Sequence, residues 1–273
     1  MPKVESYAQG TPCWVDLTSS DVEGAKSFYS SLFGWNIEEM PAPEGMTYSM
    51  ASLKGSYVAG MMAQMPEQTQ AGVPSMWNTY IAVDSADDAE KKMTEAGGKP
   101  MFPADEIPGS GRMVMGTDPS GAVVGFWQGT GHIGSGLVNE PGTVVWNELQ
   151  VDDVDAVLPF YKAVAGMDSE TAPAGDMGDY TQFMVGGKGI AGAMKKPMPD
   201  IPNNWTIYFN VGDADTAIAK AQELGGQVIA PAFDVPGIGR LAVLADPQGA
   251  TFCLMSAGGT GGDAAGSAGA AQA

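Results

Sequence analysis

Residues 14–34 read WVDLTSSDVEGAKSFYSSLFG, and residues 146–166 read WNELQVDDVDAVLPFYKAVAG, at an offset of 132 positions. Both stretches open on Trp, place an acidic residue two positions later, and continue with Asp, a Phe-Tyr pair and a closing Gly. Similarity at a fixed offset indicates an internal repeat of one structural unit. The chain of 273 residues is therefore expected to hold two similar units in tandem, each of ordinary domain size.

The repeat continues through the second half of each unit at an offset of 128, so the two units differ by one four-residue loop change between Pro66 and Pro74. The matched motifs are Pro108-Gly-Ser-Gly-Arg112 with Pro236-Gly-Ile-Gly-Arg240, and Asp118-Pro-Ser-Gly121 with Asp246-Pro-Gln-Gly249. These limits predict an N-terminal tail (1–10), a first domain (11–129), a linker (130–142), a second domain (143–257) and a disordered Gly/Ala tail (258–273).

Hydrophobic periodicity predicts strand, helix and strands, twice over, within each unit. In the first unit the expected strands are 12–18, 47–53, 57–63, 77–83, 112–117 and 122–128, and the expected helices are 22–33 and 86–96. Asp21 provides an N-cap and Gly34 a C-terminal stop for the first helix. The fold class is therefore α+β, with two βαβββ modules in each unit.

Side chains two apart on a strand share a face, so Val15 and Leu17 are expected under the helix and Trp14 and Asp16 on the opposite face. The same alternation collects aromatic and polar residues on this opposite face: Asn78, Tyr80 and Trp127 in the first unit, and Trp146, Glu148, Thr206, Tyr208 and Cys253 in the second. A mixed sheet curled around such a face forms a cup with the composition of a ligand pocket.

The βαβββ-βαβββ order, the Asp-Pro-x-Gly turns and the Phe-Tyr helix resemble the vicinal-oxygen-chelate superfamily, which includes glyoxalases, bleomycin-resistance proteins and extradiol dioxygenases. The tandem arrangement and its Gly-His-Ile-Gly linker are similar to actinobacterial tandem glyoxalase-like proteins, which are described as glyoxalases or hydroxylases. The resemblance implies two tandem glyoxalase-like domains, each a curled mixed sheet around a cup.

Metal-dependent members of that superfamily place His, Gln or Glu at three positions of the cup. The corresponding residues are Trp14, Asn78 and Gly125 in the first unit, and Trp146, Thr206 and Cys253 in the second. Neither set supplies the converging imidazole, carboxylate or thiolate donors that a divalent metal needs. We therefore expect no metal and no other cofactor, and the metal-assisted chemistry of the superfamily does not transfer.

Asp16 and Glu148 occupy equivalent cup-facing positions, where each could act as a general base or could hold the shape of the pocket through hydrogen bonds. Arg112 and Arg240 are candidates for binding an anionic or carbonyl-bearing ligand, or for pairing with these carboxylates. The aromatic residues of the cups could stack on a flat ligand or serve as core, and Cys253 is expected to be buried and inert rather than reactive.

The formal net charge of −19, from 13 basic and 32 acidic residues, disfavours binding to nucleic acid or an anionic membrane. Cys13 and Cys253 are expected to be free thiols, and the single histidine, His132, to be a surface residue of the linker. The sequence shows no signal-peptide pattern and no membrane span, which predicts a cytoplasmic protein, although export without a cleavable signal stays open.

The sequence is consistent with three functions. The first is a metal-independent protein that binds a hydrophobic, oxygen-bearing metabolite, as a monomer of two fused units or a weak homodimer. The second is a glyoxalase-like lyase, an isomerase or a hydroxylase that uses Asp16 or Glu148 as base. The third is a scaffold whose cups are filled by its own side chains.

Overall fold

The computed structural model describes residues 3–42, 45–175 and 178–257, which form two units of the same topology. The first unit comprises β1 (Pro12–Ser19), α1 (Val22–Phe33), β2 (Asn36–Pro41), β3 (Thr47–Leu53), β4 (Ser56–Ala63), α2 (Pro66–Gln70), β5 (Met76–Ala82), α3 (Ala86–Glu95), β6 (Lys99–Pro100), β7 (Asp105–Ile107), β8 (Gly111–Thr117) and β9 (Val123–Gly129). The second unit comprises β10 (Val144–Val151), α4 (Val154–Ala165), β11 (Asp168–Pro173), β12 (Asp179–Val185), β13 (Lys188–Lys195), β14 (Asn204–Asn210), α5 (Ala214–Glu223), β15 (Gln227–Val235), β16 (Gly239–Ala245) and β17 (Thr251–Ala257). Two βαβββ modules per unit are thus present, and the α+β fold class is confirmed.

Each unit is built on one mixed sheet with two central strands. In the first sheet the order is β2-β3-β4-β1-β5-β9-β8-β6, and in the second it is β11-β12-β13-β10-β14-β17-β16-β15. The central pair, β1 with β5 or β10 with β14, is antiparallel, while the flanking contacts β1–β4 and β5–β9 are parallel. This arrangement places one module on each side of the central pair.

The first helix of each unit begins and ends where the sequence predicts. The Asp21 carboxylate accepts from the Gly24 amide, and Gly34 closes the helix at φ 76°. Asp153 and Gly166 repeat the arrangement in the second unit, with Gly166 at φ 75°. A left-handed residue of this kind favours glycine, so the matched glycines have a structural cause.

Several elements were not predicted. The edge strands β2 and β11 are almost entirely exposed, and therefore they lack the alternation that marks a half-buried strand. The short helix α2 lies in the loop where the spacing of the repeat changes from 132 to 128.

The two units are not separate globules, because they share two hydrophobic cores. Val15 and Leu17 pack under α1 as predicted, but the same core includes Phe209 and Phe252 of the second unit. In the other core the helix comes from the second unit: Phe126 of the first unit packs with residues of α4. Ring centroids of Phe33 and Phe209 lie 4.9 Å apart, and those of Phe126 and Phe160 lie 6.2 Å apart. The helix-bearing faces of the two sheets therefore cover each other.

A reciprocal pair of buried hydrogen bonds joins the units. The Tyr29 hydroxyl of α1 donates to Asp246 in the closing turn of the second unit, at 3.1 Å. The Tyr161 hydroxyl of α4 donates to Asp118 in the closing turn of the first, at 2.8 Å. The Phe-Tyr and Asp-Pro-x-Gly motifs of the repeat are thus partners across the two units.

Of the two expected tails, the structure describes only part of the N-terminal one. Residues 3–10 are not free of the fold, since the Tyr7 hydroxyl donates to the Ser135 carbonyl and the Gly10 amide to the Ala82 carbonyl. The expected Gly/Ala tail at 258–273 lies outside the described residues. Within the described ranges, no helix has the length and apolar character needed to cross a membrane.

Candidate functional site: two cups with a buried carboxylate

In the first unit, Asp16 lies at the centre of the face that points away from the shared cores. Its side chain is buried and accepts three hydrogen bonds. The Asn78 amide donates to Oδ1 at 2.9 Å, and the Tyr48 and Tyr80 hydroxyls donate to Oδ2 at 3.1 and 2.9 Å. The predicted grouping of Asp16, Asn78 and Tyr80 on one face is therefore seen in the structure.

Glycine makes room for the Tyr48 side chain. Gly60 pairs with Asp16 in the parallel ladder, and a Cβ atom built on it would lie 1.9 Å from the Tyr48 hydroxyl. Gly125 does the same for Tyr80, whose ring would be 2.3 Å from an added Cβ atom. Any larger side chain at these positions would displace a tyrosine from the carboxylate.

The second unit repeats the arrangement around Glu148. The Tyr180 hydroxyl donates to Oε2 at 2.9 Å, and the Tyr208 hydroxyl donates to Oε1 at 2.8 Å. The third donor differs in origin, because Gln150 on the same strand replaces the amide that Asn78 supplies from the neighbouring strand. Gly192 faces Tyr180 as Gly60 faces Tyr48, with an added Cβ atom 1.9 Å from the hydroxyl.

A tryptophan holds the outer tyrosine of each cup. The Trp14 indole donates to the Tyr48 hydroxyl at 2.9 Å, and the Trp146 indole donates to the Tyr180 hydroxyl at 2.8 Å. Around these residues the first cup carries Cys13, Met50, Ala82 and Trp127, with Met113 and Met115 partly buried; the second carries Val145, Leu241, Cys253 and Met255, with Val235 and Val243 partly buried.

The aromatic side chains of the cups are almost entirely buried. Trp14, Tyr80 and Trp127 are between 6 and 7% exposed, and Trp146 and Tyr208 are each 9% exposed. Tyr48, Tyr180 and the partly buried aliphatic and methionine side chains are more exposed than these residues. A ligand would therefore meet an aromatic and thioether wall before it met the carboxylate.

Burial dominates the ionisation of these groups. It raises the pKa of Asp16, and the hydrogen bonds from Asn78, Tyr80 and Tyr48 partly offset the rise. Burial and the adjacent carboxylate raise the pKa of Tyr80 and of Tyr208 well above the usual range. The tyrosine hydroxyls therefore stay protonated, and each donates a hydrogen bond to a carboxylate.

Both cysteines are free and Cys253 is buried, as expected; Cys13 is buried as well. Burial raises the pKa of the Cys253 thiol above its usual range, and burial raises that of Cys13 as well. A protonated, buried thiol is a poor nucleophile, which favours the inert interpretation of Cys253.

The structure corrects the placement of the two arginines. Arg112 shares a strand face with the core residue Val114, whereas Met113 and Met115 face the cup. Its guanidinium accordingly pairs with Asp87 near the start of α3, at 2.7 Å, and not with Asp16. Strand alternation thus puts the side chain on the helix side of the sheet.

Arg240 follows the same rule in the second unit. It pairs with Asp215 of α5 at 3.0 Å and with Asp234 at 3.2 Å, rather than with Glu148. Neither arginine lies among the groups that surround the cup carboxylates, so the expected role in ligand binding has no support from their positions.

His132, expected as a linker residue at the surface, lies in the linker and is half-buried. Its ring lies edge-on against Trp14, with centroids 4.5 Å apart, and its carbonyl accepts from the Trp127 indole at 2.8 Å. Burial lowers the pKa of His132 to about 4, and its buried Nε2 has no hydrogen-bond partner. The linker therefore contributes a side chain to one end of the first cup.

The groups at the superfamily's ligand positions do not fit a divalent metal. Trp14 and Asn78 are committed to the tyrosine and carboxylate network, and Gly125 has no side chain. In the second unit Thr206 donates to Asn204, and Cys253 is left as a single thiol without a second imidazole, carboxylate or thiolate at these positions. Among the described residues, no three His, Cys, Asp or Glu side chains converge as a metal site would require.

Both units match models of known protein families. A model of the glyoxalase/bleomycin resistance protein/dioxygenase superfamily matches residues 13–126, and a glyoxalase-like domain model matches residues 144–255. The chain belongs to the glyoxalase/bleomycin resistance protein/dioxygenase superfamily. The tandem organisation of this superfamily member is thereby confirmed at both units.

Two curated relatives align along nearly their whole length. "Putative glyoxylase CFP32" of Mycobacterium tuberculosis (strain CDC 1551 / Oshkosh) is 49% identical over 256 residues, which cover 93% of this chain and 98% of the relative. "Anthracycline biosynthesis protein DnrV" of Streptomyces peucetius is 32% identical over 266 residues, covering 91% of this chain and 94% of the relative. The glyoxalase-like character of the chain rests on the family models and on the first of these matches.

Among solved structures, the Mn(II)-bound glyoxalase of Novosphingobium aromaticivorans superposes with a TM-score of 0.60 at 14% identity, covering 92% of this chain and 83% of that one. At this identity the likeness shows the fold alone. The metal in that structure has no matching donor set in the described residues of this chain.

Sequence reasoning missed three members of the cups: Tyr48, Tyr180 and Gln150. The first two were visible as a matched pair at the offset of 132, as were Gly60 and Gly192, which the tyrosines cover. Their roles were hidden because only the β3–β4 and β12–β13 registers bring them to the carboxylates.

Proposed function

We propose that this superfamily member binds an apolar, oxygen-bearing small molecule in its cups, and that it does so without a divalent metal. The observation that carries the proposal is a buried carboxylate held by two tyrosines in each cup, next to metal-ligand positions that hold no matching donor set among the described residues. In each cup this polar centre is surrounded by aromatic, aliphatic or thioether side chains. An apolar surface with a few fixed polar groups is typical of small-molecule sites.

The methionines of the first cup support entry of a ligand into a largely buried site. Met113 and Met115 are only partly buried, and their unbranched side chains can repack at small cost. The name of the Streptomyces relative refers to anthracycline biosynthesis. This connection favours fused-ring aromatic compounds as the first class of ligand to try.

Equilibrium dialysis of chelator-treated protein against 2-naphthol tests the proposal directly. We expect saturable binding that is unchanged by the chelator. Met115→Lys places a charge on the cup wall and should weaken binding, whereas Met101→Lys, at a position that is 56% exposed, should not. Absence of saturable binding, or a stoichiometric divalent ion in the purified protein, contradicts the proposal.

An enzyme with Asp16 or Glu148 as general base is the second candidate, and the raised pKa of Asp16 favours it. Against it, both Asp16 oxygens already accept hydrogen bonds from the protein. Turnover of methylglyoxal in the presence of a thiol is the assay. If Asp16→Asn and Glu148→Gln both leave turnover intact, neither carboxylate is the base.

A further inference from the structure

The hydrogen-bond donors of the cups are already committed within the protein. In the first cup the Trp14 indole donates to Tyr48, and the Tyr48 and Tyr80 hydroxyls each donate their single proton to Asp16. The Asn78 amide donates to Asp16 and, at 3.2 Å, to Thr18. The indole of Trp127 donates to the linker carbonyl of His132.

The second cup shows the same commitment. The Trp146 indole donates to Tyr180, and the hydroxyls of Tyr180 and Tyr208 donate to Glu148. The Thr206 hydroxyl donates to Asn204 at 2.9 Å. Of the polar side chains discussed in the two cups, this leaves as donors the Thr18 hydroxyl, the second amide proton of Gln150, the single N–H of the His132 ring at one end of the first cup, and the weakly donating Cys253 thiol.

Acceptors, by contrast, remain. A tyrosine oxygen that donates its proton still carries lone pairs, and those of Tyr80 and Tyr208 accept from no indole, unlike those of Tyr48 and Tyr180. A hydroxyl that turned outward would lose its hydrogen bond to the buried carboxylate, which holds Tyr80 and Tyr208 in their present orientation. The acceptor oxygens of Asp16 and Glu148 also disfavour an anionic ligand nearby, because such a ligand offers only further acceptors.

We infer that the cups select ligands whose polar group donates a hydrogen bond, such as a phenol or alcohol, over ligands that only accept one or that carry a carboxylate. This inference rests on the proposed binding function and names the substrate class that the same site takes.

Four naphthalenes of similar size separate the possibilities. They are 2-naphthol, which donates; 2-methoxynaphthalene and 2-acetylnaphthalene, which only accept; and 2-naphthoate, which is anionic. In equilibrium dialysis at pH 7.5, 2-naphthol should bind about five- to tenfold more tightly than 2-methoxynaphthalene, the value of one neutral hydrogen bond. The acetyl compound should gain nothing over the methoxy compound, and naphthoate should bind most weakly.

The double variant Asp16→Asn/Glu148→Gln tests the cause. It removes the negative centre of each cup and releases tyrosine protons, because an amide has one accepting oxygen instead of two. The preference for 2-naphthol over 2-methoxynaphthalene should fall, and 2-acetylnaphthalene should bind more tightly than it does to the unaltered protein. The exposed changes Asp200→Asn and Glu223→Gln form a control with the same loss of charge.

Each outcome has a distinct meaning. Binding of acetylnaphthalene or naphthoate as tight as that of 2-naphthol overturns the inference while the binding function stands. Failure of all four probes to bind overturns both. If the double variant does not fold, as judged by circular dichroism, the ranking of the four probes on the unaltered protein still decides.

Discussion

At the scale of single residues, the most direct prediction concerns the pKa of the His132 imidazole. It is the only histidine in the chain, so its imidazole gives one resolved signal in a proton NMR titration. Because burial disfavours the charged form, the midpoint should lie near pH 4 in the folded protein and near pH 6.5 in urea. A folded-state midpoint above 6 would show that the ring is solvated rather than packed on Trp14.

The same shift links His132 to stability. Its folded pKa lies below the unfolded value, so the contribution to stability is complete above pH 6.5 and is lost as the pH falls towards 4. The loss should be at most about 3 kcal/mol. His132→Phe should remove this part of the pH dependence of the unfolding free energy, measured by urea denaturation. An unchanged difference between variant and parent from pH 7 to 4 contradicts the assignment.

Gly60 and Gly192 carry the second residue-scale prediction. Gly60→Ala should push Tyr48 off Asp16, and Gly192→Ala should push Tyr180 off Glu148, because the new Cβ would overlap each hydroxyl. Each change should lower the unfolding free energy by about 2–4 kcal/mol through lost buried hydrogen bonds and strain. Gly212→Ala is the matched control, since no heavy atom lies within 4 Å of an added Cβ there. Equal effects at all three positions would rule out the steric explanation.

Residue positions were predictable where strand alternation could be counted from a clear strand. The face of Asp16, Asn78 and Tyr80 was obtained in this way. Arg112 and Arg240 were assigned from their position after a Gly-rich loop and not from the alternation of β8 and β16, which places them on the helix side. The packing of His132 on Trp14 depends on the path of the linker, for which the sequence has no periodic signal.

At the scale of elements, the contact between α1 and the closing turn before β17 is open to test. Tyr29→Phe removes the hydrogen bond to Asp246 and leaves the buried Trp77 indole without its acceptor at Tyr29. We expect a loss of about 2–3 kcal/mol in unfolding free energy, and a similar loss for Tyr161→Phe. Tyr57→Phe, at a largely solvated hydroxyl, should change stability by less than about 0.5 kcal/mol. A Tyr29→Phe effect as small as the control would mean that the buried bonds contribute nothing net.

Element boundaries were predictable wherever one face of the element is buried. Helix α1 matches its predicted limits because Asp21 and Gly34 mark its ends and its apolar residues repeat at helical spacing. The edge strand β2 was missed because its residues, Asn36–Pro41, have little burial and follow no alternation. Its existence depends on pairing with β3, which is a tertiary contact.

At the scale of the whole molecule, the shared cores predict one cooperative unfolding transition. Residues 1–141 and 142–273, made separately, would each expose the apolar face that the other covers. Each fragment alone should be poorly folded or self-associated, and an equimolar mixture should recover the circular dichroism and elution volume of the intact chain. Two well-folded, monomeric fragments with the parent's stability would contradict the shared-core arrangement. The mutual burial could not be predicted, since a repeat shows that two units are alike and not how they pack.

The mutual covering of the helix-bearing faces also divides the molecule into a constrained part and a free part. A change at Phe209 or Phe126 has to suit both units, whereas a change on either cup affects only that cup. The internal repeat already shows this division. The glycines, turns and helix residues are the same in both units, whereas in the cups Asn78 aligns with Thr206 and Gly125 with Cys253. Duplication has thus given one chain two cups on separate outer faces, so that the residues of one cup can change while those of the other stay as they are.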